Sequence, residues 1–334
     1  MKYIISLVSL SLISVTASAV MIKHLILLLT KYKIVDVPSN RRAHKAITPR
    51  GAGLSFILIF ILLLPLSEYY LLHSYEYSAA LLQIFIPISL VSFYDDVSGV
   101  SIPIRLLVHV LCALLAIMWL ILPNHITPFA ISMSLDLVIS ALALLTFFNL
   151  FNFLDGIDGI TASQTIHLAS TILILCYLGY DVIINVDMVI IISIIILGWA
   201  VGFIYFNWSP AQIFLGDGGS ISLGFLLGIC LLSVAATNVH FFLACVIASL
   251  YYIADGGGTI LLRLAKGERI WEPHLQHFFQ KSVQKGRNHQ TVVKGIIKCN
   301  SLLMVFSASS LYYPTVSVIC ALIVVSITLN KSIR

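Results

Sequence analysis

Residues 184–205 read INVDMVIIISIIILGWAVGFIY and contain one charged side chain, that of Asp187. A helix that crosses the hydrocarbon core of a bilayer needs about 20 mostly apolar residues, and this stretch meets that requirement. Because the apolar runs are continuous and not alternating, they argue against a membrane β-barrel. The sequence predicts an all-α polytopic membrane protein with about 11 (10 to 11) transmembrane helices. The other ten runs lie at about 3–29, 51–72, 78–94, 102–122, 129–149, 160–180, 220–237, 239–262, 291–311 and 314–330.

The composition of the chain agrees with a membrane location. Its 334 residues are 60% hydrophobic and 10% charged, which leaves too little polar surface to cover a soluble core. Since apolar runs recur along the whole length, residues 1–334 are predicted to form a single integral-membrane domain. The six cysteines lie in or beside apolar runs and never form a CxxC pair, so neither a disulfide framework nor a thiolate zinc site is indicated.

The first twenty residues also resemble a signal peptide, with Lys2, an apolar stretch and the small residues Ala17-Ser18-Ala19. The apolar run nevertheless continues past Ala19 to Ile22, and Lys23 and a basic loop follow. That order favours a retained first helix whose C-terminal end faces the cytoplasm.

Lysine and arginine are unevenly distributed between the loops. Seven lie from Lys23 to Arg50 and eight from Arg263 to Lys298, and simple alternation of the helices puts both segments on one side. By the positive-inside rule that side is cytoplasmic, so the net charge of +5 reports topology and argues against nucleic-acid binding. The predicted cytoplasmic loops are at about 30–50, 95–101, 150–159, 206–219 and 263–290.

Five carboxylates follow three helices on the same predicted side: Asp95 and Asp96, Asp155 and Asp158, and Asp217. Acidic residues are costly in so apolar a chain, so their convergence predicts a functional cleft. Their mutual repulsion favours a bound divalent cation. Mg²⁺ is the natural candidate because it takes one or two protein carboxylates together with water and substrate phosphates, and Mn²⁺ is the alternative. A plain helix-capping or solvated role suits three other aspartates: Asp136, Asp181 and Asp187.

Two short motifs carry these carboxylates. In NLFNFLDGIDG (149–159), Asn152, Asp155 and Asp158 are spaced three residues apart, which predicts one shared helical face suited to a nucleoside. In FLGDGGS (214–220), Asp217 and a glycine turn open the eighth helix, where free backbone N–H groups can receive phosphate.

Basic and histidine-containing loops are predicted to hold an anionic substrate. One loop carries Lys45 and Arg50 near His44, and the long loop carries His274 and His277. The two long-loop histidines could chelate zinc, but no cysteine or third soft ligand accompanies them, so phosphate contact is favoured. An amphipathic segment that holds lipid headgroups is the alternative left open.

In this order, the motifs resemble the polyprenyl-phosphate N-acetylhexosamine-1-phosphate transferases, the family of the MraY translocase and of WecA. The resemblance covers about residues 36–290. The long loop, residues 266–290, is most similar to the WbpL-like branch, which is associated with 6-deoxy-N-acetylhexosamines such as N-acetylfucosamine and N-acetylquinovosamine. The matching segments are 36–44, 49–53, Asp95-Asp96, NFLDGIDG (152–159), 207–220 and His274-x-x-His277.

The resemblance implies transfer of an N-acetylhexosamine 1-phosphate from a UDP-sugar to undecaprenyl phosphate, with release of UMP. The sugar would be a 6-deoxy sugar or N-acetylglucosamine, and the product would initiate O-antigen or another cell-surface polysaccharide. The enzyme would span the bacterial cytoplasmic (inner) membrane, with its active site on the cytoplasmic face. The oligomeric state is left open, a homodimer among the options.

The resemblance also assigns roles to residues. Asp217 would be the main magnesium ligand, and Asp95 with Asp96 a catalytic pair that prepares the lipid phosphate or supports the metal. The uridine and diphosphate would be held by Asn152, Asp155, Asp158, Asn207 and Phe214. Phosphate and sugar would be held by His44, Lys45, Arg50, His274 and His277.

Two positions depart from the family pattern, and a third, Asp255, occupies a place where relatives also often have an aspartate. Many relatives have a lysine at the position of Gly99, so its role would pass to Arg105 or to the basic loops. MraY-type enzymes have an unbroken run of histidines where this chain has His274-Leu-Gln-His277, which argues against a pentapeptide-bearing substrate. The glycines of Asp255-Gly-Gly-Gly258 predict either a break that bends the ninth helix around the lipid or a close helix contact.

Other protein classes also use membrane carboxylates. A transporter or ion channel would place acidic residues near the bilayer midplane and would show an internal repeat with broken helices. Here the acids lie at helix ends and the halves share no period. A CDP-alcohol phosphotransferase would need a DGxxAR spacing, which is missing after Asp155-Gly156.

Overall fold

The computed structural model describes residues 2–37, 47–121, 127, 131–269 and 274–333. Two π-helical turns, Ile117–Ile121 and Ile253–Gly257, each continue an α-helix. Two short strands, β1 (Val35–Asp36) and β2 (Thr48–Pro49), pair antiparallel. The helices are α1 (Lys2–Lys31), α2 (Gly53–Leu72), α3 (Glu76–Ser98), α4 (Ile102–Ala116), α5 (Met133–Phe153), α6 (Ile160–Leu178), α7 (Val186–Asn207), α8 (Asp217–Ala235), α9 (Val239–Tyr252), α10 (Gly258–Ala265), α11 (Phe278–Gln284), α12 (His289–Ser309) and α13 (Pro314–Ile333).

Within the described residues, 11 helices are long and apolar enough to cross a membrane, with α9, its π turn and α10 forming one of them. This confirms the predicted all-α polytopic membrane fold. Because the spans alternate in direction, the connections after α1, α3, α5, α7 and α10 lie at one end of the bundle. We call this the loop end.

Helix α8 lies at the centre of the bundle. In its most apolar stretch 89% of the residues are buried, compared with 17% in α1 and 22% in α13, which lie at the periphery. Glycine permits its close neighbours: a Cβ on Gly224 would lie 2.9 Å from the Cα of Phe148 on α5. The first residue of this central helix is Asp217, which is therefore held by the most enclosed element of the fold.

Helix α1 packs on α7 through small residues. The hydroxyl of Ser14 donates to the carbonyl of Ile195 at 2.8 Å, and that of Ser18 donates to the carbonyl of Trp199 at 2.9 Å. These serines face Gly198 and Gly202, where an added Cβ would approach the serine Cβ atoms to 2.7 and 2.8 Å. Small residues four apart on both helices allow this approach, as is common between membrane helices.

The glycine-rich segment of α9 forms the π turn Ile253–Gly257. One glycine makes a close helix contact, since a Cβ on Gly256 would lie 2.8 Å from Leu150 of α5. Gly257 and Gly258 have no atom within 4 Å of such a Cβ. The helix therefore continues as a locally widened turn, and close packing explains only one of the three glycines.

Candidate active site

The loop between β2 and α2 places Arg50 beside the start of α8. The backbone N–H groups of Gly51 and Ala52 both donate to the carbonyl of Phe214 at 3.0 Å, and the N–H of Phe214 donates to the carbonyl of Pro49 at 2.8 Å. Arg50 itself forms a parallel bridge with Phe214. These bonds fix the guanidinium relative to the loop that precedes Asp217.

Arg50 joins two of the predicted carboxylates. Its Nη2 lies 2.5 Å from Oδ1 of Asp217 and 2.8 Å from Oδ1 of Asp96. Burial acts to lower the pKa of Arg50, but Asp217 and Asp96 outweigh it, so the pKa lies above its ordinary value. The loops that carry the aspartates contain no neutralising lysine or arginine, but Arg50 reaches Asp96 and Asp217 from the loop before α2.

Asp96 also caps α8. Its carboxylate accepts the backbone N–H of Asp217 at 2.9 Å and that of Gly218 at 2.8 Å. Gly216 precedes them with a φ of +83°, and a Cβ there would lie 2.7 Å from Oδ2 of Asp96. The backbone N–H groups of Asp217 and Gly218, which were predicted to bind phosphate, are thus hydrogen-bonded to the side chain of Asp96.

Asp95 points away from this cluster. Its carboxylate is paired with Arg105 and accepts the backbone N–H of Val100 at 2.7 Å. The sequence predicted that helix α3 ends before these aspartates, but it continues to Ser98. Consecutive residues of a helix point about 100° apart, which is why Asp95 and Asp96 have different partners. Their catalytic roles stay predictions.

The NFLDGIDG segment is only partly helical. Asn152 belongs to α5, which ends at Phe153, whereas Asp155 and Asp158 lie in the turn before α6. The expected single helical face is therefore wrong, because the helix ends between Asn152 and Asp155. The turn nevertheless brings all three side chains to one cavity.

Hydrogen bonds hold that turn in place. The amide of Asn152 accepts from the hydroxyl of Ser220 on α8 at 2.7 Å. Asn207 is buried; its Oδ1 accepts the N–H of Gly159 at 3.0 Å and its Nδ2 donates to the carbonyl of Ile213 at 3.0 Å. The side-chain amide of Asn207 therefore links the loop before α6 to the loop before α8 through both its oxygen and its nitrogen.

The cavity at the loop end has a volume of about 520 Å³. It is lined by four carboxylates, those of Asp36, Asp155, Asp158 and Asp217. Arg50 is the one Lys or Arg among the described residues that line it. The remaining lining residues are Asn152, Gly156, Ile157, Asn207, Phe214, Leu215, Gly216, Leu275, Gln280, Val283, Gln284 and His289.

Two cavity carboxylates have shifted pKa values of opposite sign. Burial, together with the charges of Asp217 and Asp96, raises the pKa of Asp155 to about 6, although Thr161 donates to it at 2.6 Å. For Asp158 burial also acts to raise the pKa, but His289 at 3.2 Å outweighs it, so the pKa lies below its usual value. Asp158 therefore stays ionised at neutral pH, whereas Asp155 is close to titration.

The structure does not bring the two long-loop histidines to the cavity. His277 is 2% exposed, and its Nδ1 lies 3.4 Å from Oδ1 of the fully buried Asp255. The ring of His274 lies 4.7 Å from that of His277, and burial with the nearby His277 and Arg263 lowers its pKa to about 4. At neutral pH His274 is uncharged, and the sugar and phosphate roles of both residues stay predictions.

Other residues complete the comparison with the sequence. His44 and Lys45 lie outside the described residues, so their predicted phosphate contacts are not addressed. Asp36, Gln280 and His289 line the cavity but were not identified as site residues. Asp36 lay in a matched motif, whereas nothing in the spacing distinguishes Gln280 from its neighbours.

The residues of the cluster fit a magnesium ion in one specific way. Within the described ranges, no group of three or more His, Cys, Asp or Glu side chains is arranged to bind a metal. Asp217 and Asp96, however, present oxygen atoms close enough together to share one cation, Arg50. Since Mg²⁺ needs only one or two protein carboxylates when substrate phosphates and water complete its shell, this oxygen pair suits it.

Known proteins are similar to this chain over the region that carries these carboxylates. The model of glycosyl transferase family 4 matches residues 78–235, which include Asp95, Asp96, Asp155 and Asp217. The chain is 34% identical over 118 residues to the phospho-N-acetylmuramoyl-pentapeptide-transferase of Desulforapulum autotrophicum, covering 34% of this chain and 32% of that protein. The corresponding Rickettsia massiliae enzyme is 30% identical over 109 residues, 31% of this chain and 29% of that protein.

A longer match is to a Bacillus subtilis protein described as a probable undecaprenyl-phosphate N-acetylglucosaminyl 1-phosphate transferase. It is 24% identical over 305 residues, covering 89% of this chain and 82% of that protein. The match to the two pentapeptide transferases spans about a third of their length. The family model and these relatives agree with the resemblance that the motifs indicated.

Proposed function

We propose that this chain is an enzyme of glycosyl transferase family 4, as its matches suggest, and that it transfers an N-acetylhexosamine 1-phosphate from a UDP-sugar to undecaprenyl phosphate. The observation that carries the proposal is the cavity at the loop end. Asp217 and Arg50 meet there, beside Asn152 and Asp155. A cavity with opposed charges at the end of a membrane bundle suits a soluble nucleotide donor and a lipid acceptor.

The chemistry asks for charge neutralisation and alignment more than for covalent catalysis. An oxygen of the lipid phosphate attacks the β-phosphorus of the donor, the bond between that phosphorus and the oxygen bridging to the α-phosphorus breaks, and UMP leaves. Asp217 would hold Mg²⁺, which when bound neutralises the diphosphate. Arg50 would supply a second positive charge, and Asn152 with Asp155 would hold the uridine side of the donor.

Asp96 has a supporting part in this scheme. Its hydrogen bonds to the first amides of α8 hold the backbone of Asp217 in place. Asp95, bound to Arg105, would act on the lipid phosphate through that arginine and not at the metal. Arg105 is 31% exposed and lies in the first turn of α4, which has many exposed apolar side chains, as a lipid-facing position requires.

The proposed location is the bacterial cytoplasmic membrane, with the loop end in the cytoplasm. The two basic segments support this orientation because lysine and arginine are retained on the cytoplasmic side. The proposed donor carries a 6-deoxy-N-acetylhexosamine or N-acetylglucosamine, as the long loop suggests, and the product would initiate O-antigen or a related surface polysaccharide. His274-Leu-Gln-His277 supports a donor without a pentapeptide.

A UMP-release assay on detergent-purified protein tests the proposal. Undecaprenyl phosphate and Mg²⁺ are supplied with the UDP derivatives of N-acetylglucosamine, N-acetylgalactosamine, N-acetylfucosamine, N-acetylquinovosamine and N-acetylmuramoyl-pentapeptide in parallel. We expect UMP release that requires the lipid, is lost with EDTA and returns with Mg²⁺ or Mn²⁺. Turnover of the pentapeptide donor alone would overturn the proposed sugar class.

A pair of variants provides the control. Asp217→Asn removes the proposed metal ligand, whereas Asp181→Asn changes an exposed aspartate between α6 and α7, at the opposite end of the bundle. We expect loss of turnover in the first and unchanged turnover in the second. If folded wild-type protein releases no UMP with any donor, the transferase function is wrong, and ion flux in liposomes becomes the next measurement.

A further inference from the structure

Asp255 is a fully buried carboxylate that the proposed chemistry does not use. It lies in the π turn between α9 and α10 and is 0% exposed. Its oxygens accept the backbone N–H of Phe278 at 2.9 Å, the N–H of Phe279 at 3.2 Å and the hydroxyl of Tyr251 at 3.1 Å. Since an unpaired charge is costly to bury, these bonds must be retained for the carboxylate to remain inside.

The two amides belong to the first turn of α11. The first four N–H groups of a helix have no partner within the helix, and a carboxylate there satisfies them and interacts favourably with the helix dipole. Asp255 comes from a different element, 23 residues earlier in the chain than Phe278. It therefore attaches α11 to the membrane-spanning helix, and not merely to its own loop.

Helix α11 forms one wall of the cavity. Gln280, Val283 and Gln284 line it, while Asp255 does not. Phe279, the second helical residue, is fully buried beneath the NFLDGIDG turn, and a Cβ on Gly156 would lie 3.0 Å from its ring. The attachment of α11 thus also supports the turn that holds Asp155 and Asp158.

His277 belongs to the same attachment. It lies directly before α11, its Nδ1 is 3.4 Å from Asp255, and its ring is nearly parallel to that of Phe279 at 5.7 Å between centroids. His277, which was predicted to contact the sugar, is thus enclosed between the carboxylate of Asp255 and the ring of Phe279.

We propose that Asp255 is a positioning residue that holds α11 against the cavity and thereby sets the affinity for the nucleotide-sugar donor. It acts through the backbone of Phe278 and Phe279 and touches no substrate. The effect on donor affinity rests on the proposed function, whereas the attachment of α11 does not.

Three variants separate positioning from general stability. Asp255→Ala removes both acceptors, and Asp255→Asn keeps an acceptor for one amide only. Tyr251→Phe is the matched control, since it removes the third donor to the same carboxylate and leaves both α11 bonds in place. All are purified as full-length protein, checked for monodispersity in detergent, and used only if they unfold cooperatively on heating.

Two readouts are measured. The first is the rate of trypsin cleavage after Lys281 within α11, identified by fragment mass, which needs no activity. The second is the KM for the UDP-sugar and the kcat of UMP release. Loss of buried hydrogen bonds to a charged group predicts about tenfold faster cleavage and about tenfold higher KM in Asp255→Ala, with kcat reduced less than about threefold.

We expect Asp255→Asn to fall between wild type and Asp255→Ala, and Tyr251→Phe to match wild type. If Asp255→Ala does not fold, Asp255→Asn decides the question alone. Cleavage rates in the Asp255 variants within about twofold of wild type would overturn the attachment of α11. A fall in kcat with an unchanged KM would overturn the positioning role. If wild-type protein has no transferase activity, the proposed function fails, and the cleavage rates still decide whether Asp255 holds α11.

Discussion

The carboxylate of Asp96 accepts the backbone N–H of Asp217 at 2.9 Å, across 121 residues of sequence. It accepts the next amide, that of Gly218, as well. One aspartate therefore acts as the cap of the central helix, and the other presents its side chain at the cavity. Their shared partner, Arg50, keeps two carboxylates together that would otherwise repel each other.

Asp217→Asn and Asp96→Asn are expected to differ in stability. Both should abolish most UMP release, but only Asp96→Asn removes the acceptor of a backbone amide at the start of α8. The loss of a charged helix cap costs about 1–2 kcal/mol, so Asp96→Asn should also unfold at a lower temperature. Thermal unfolding in detergent, measured beside the UMP assay, checks this. Equal unfolding temperatures for Asp96→Asn and wild type would refute the capping role.

Asp95 and Arg105 are expected to behave as a unit. Because each is the partner of the other, Asp95→Asn, Arg105→Gln and the double variant should show similar losses in kcat/KM. Residues that share one interaction give non-additive effects. Strictly additive losses would mean that each side chain has its own task. The cavity variant Asn152→Ala, combined with Arg105→Gln, provides the additive control.

The pH dependence should report Asp155. Its pKa is raised to about 6, so the folded protein favours the neutral form below that pH. If the ionised carboxylate serves the donor, kcat/KM rises as pH increases through about 6, and Asp155→Asn removes this limb. A carboxyl with a raised folded-state pKa contributes stability at low pH and loses it as pH rises through the folded pKa. Wild type should therefore lose stability as pH rises from the ordinary carboxyl pKa of 3.8 to the folded pKa of about 6, unlike Asp155→Asn.

Gly219→Ala should disturb the cluster through packing alone. A Cβ on Gly219 would lie 2.7 Å from the Cα of Gly53, at the contact between α2 and α8. Overpacking of this kind costs about 1–3 kcal/mol and should displace the Asp217 turn from Arg50. Gly257→Ala is the control, because its Cβ would meet no atom within 4 Å. Unchanged unfolding temperature and activity in Gly219→Ala would contradict the close contact.

The transmembrane helices could be predicted from sequence because hydrophobic length alone determines them. The end of a helix is less visible, since polar residues are compatible with a last helical turn or a loop. This is why α3 extends past Asp95 and Asp96, and why α5 ends between Asn152 and Asp155. The side on which the carboxylates gather was predictable, but their directions were not.

The partners of single side chains were harder still to foresee. Asp255 and His277 are 22 positions apart, and no periodicity relates them, yet they are in contact. Arg50 was recognised as basic and loop-borne, but its pairing with Asp96 and Asp217 depends on the backbone bridge to Phe214. Such pairings arise from tertiary packing, which a single sequence does not encode in any local pattern.

The contact between α1 and α7 has a consequence for biosynthesis. Ser14 and Ile195 are 181 residues apart, so α1 acquires this hydrogen-bonded neighbour only after the six helices from α2 to α7 have been made. Until then its serine hydroxyls can bond only within their own helix or to other transient neighbours. Insertion of this chain therefore includes a delayed lateral docking step, in which an early helix closes on one that is made much later.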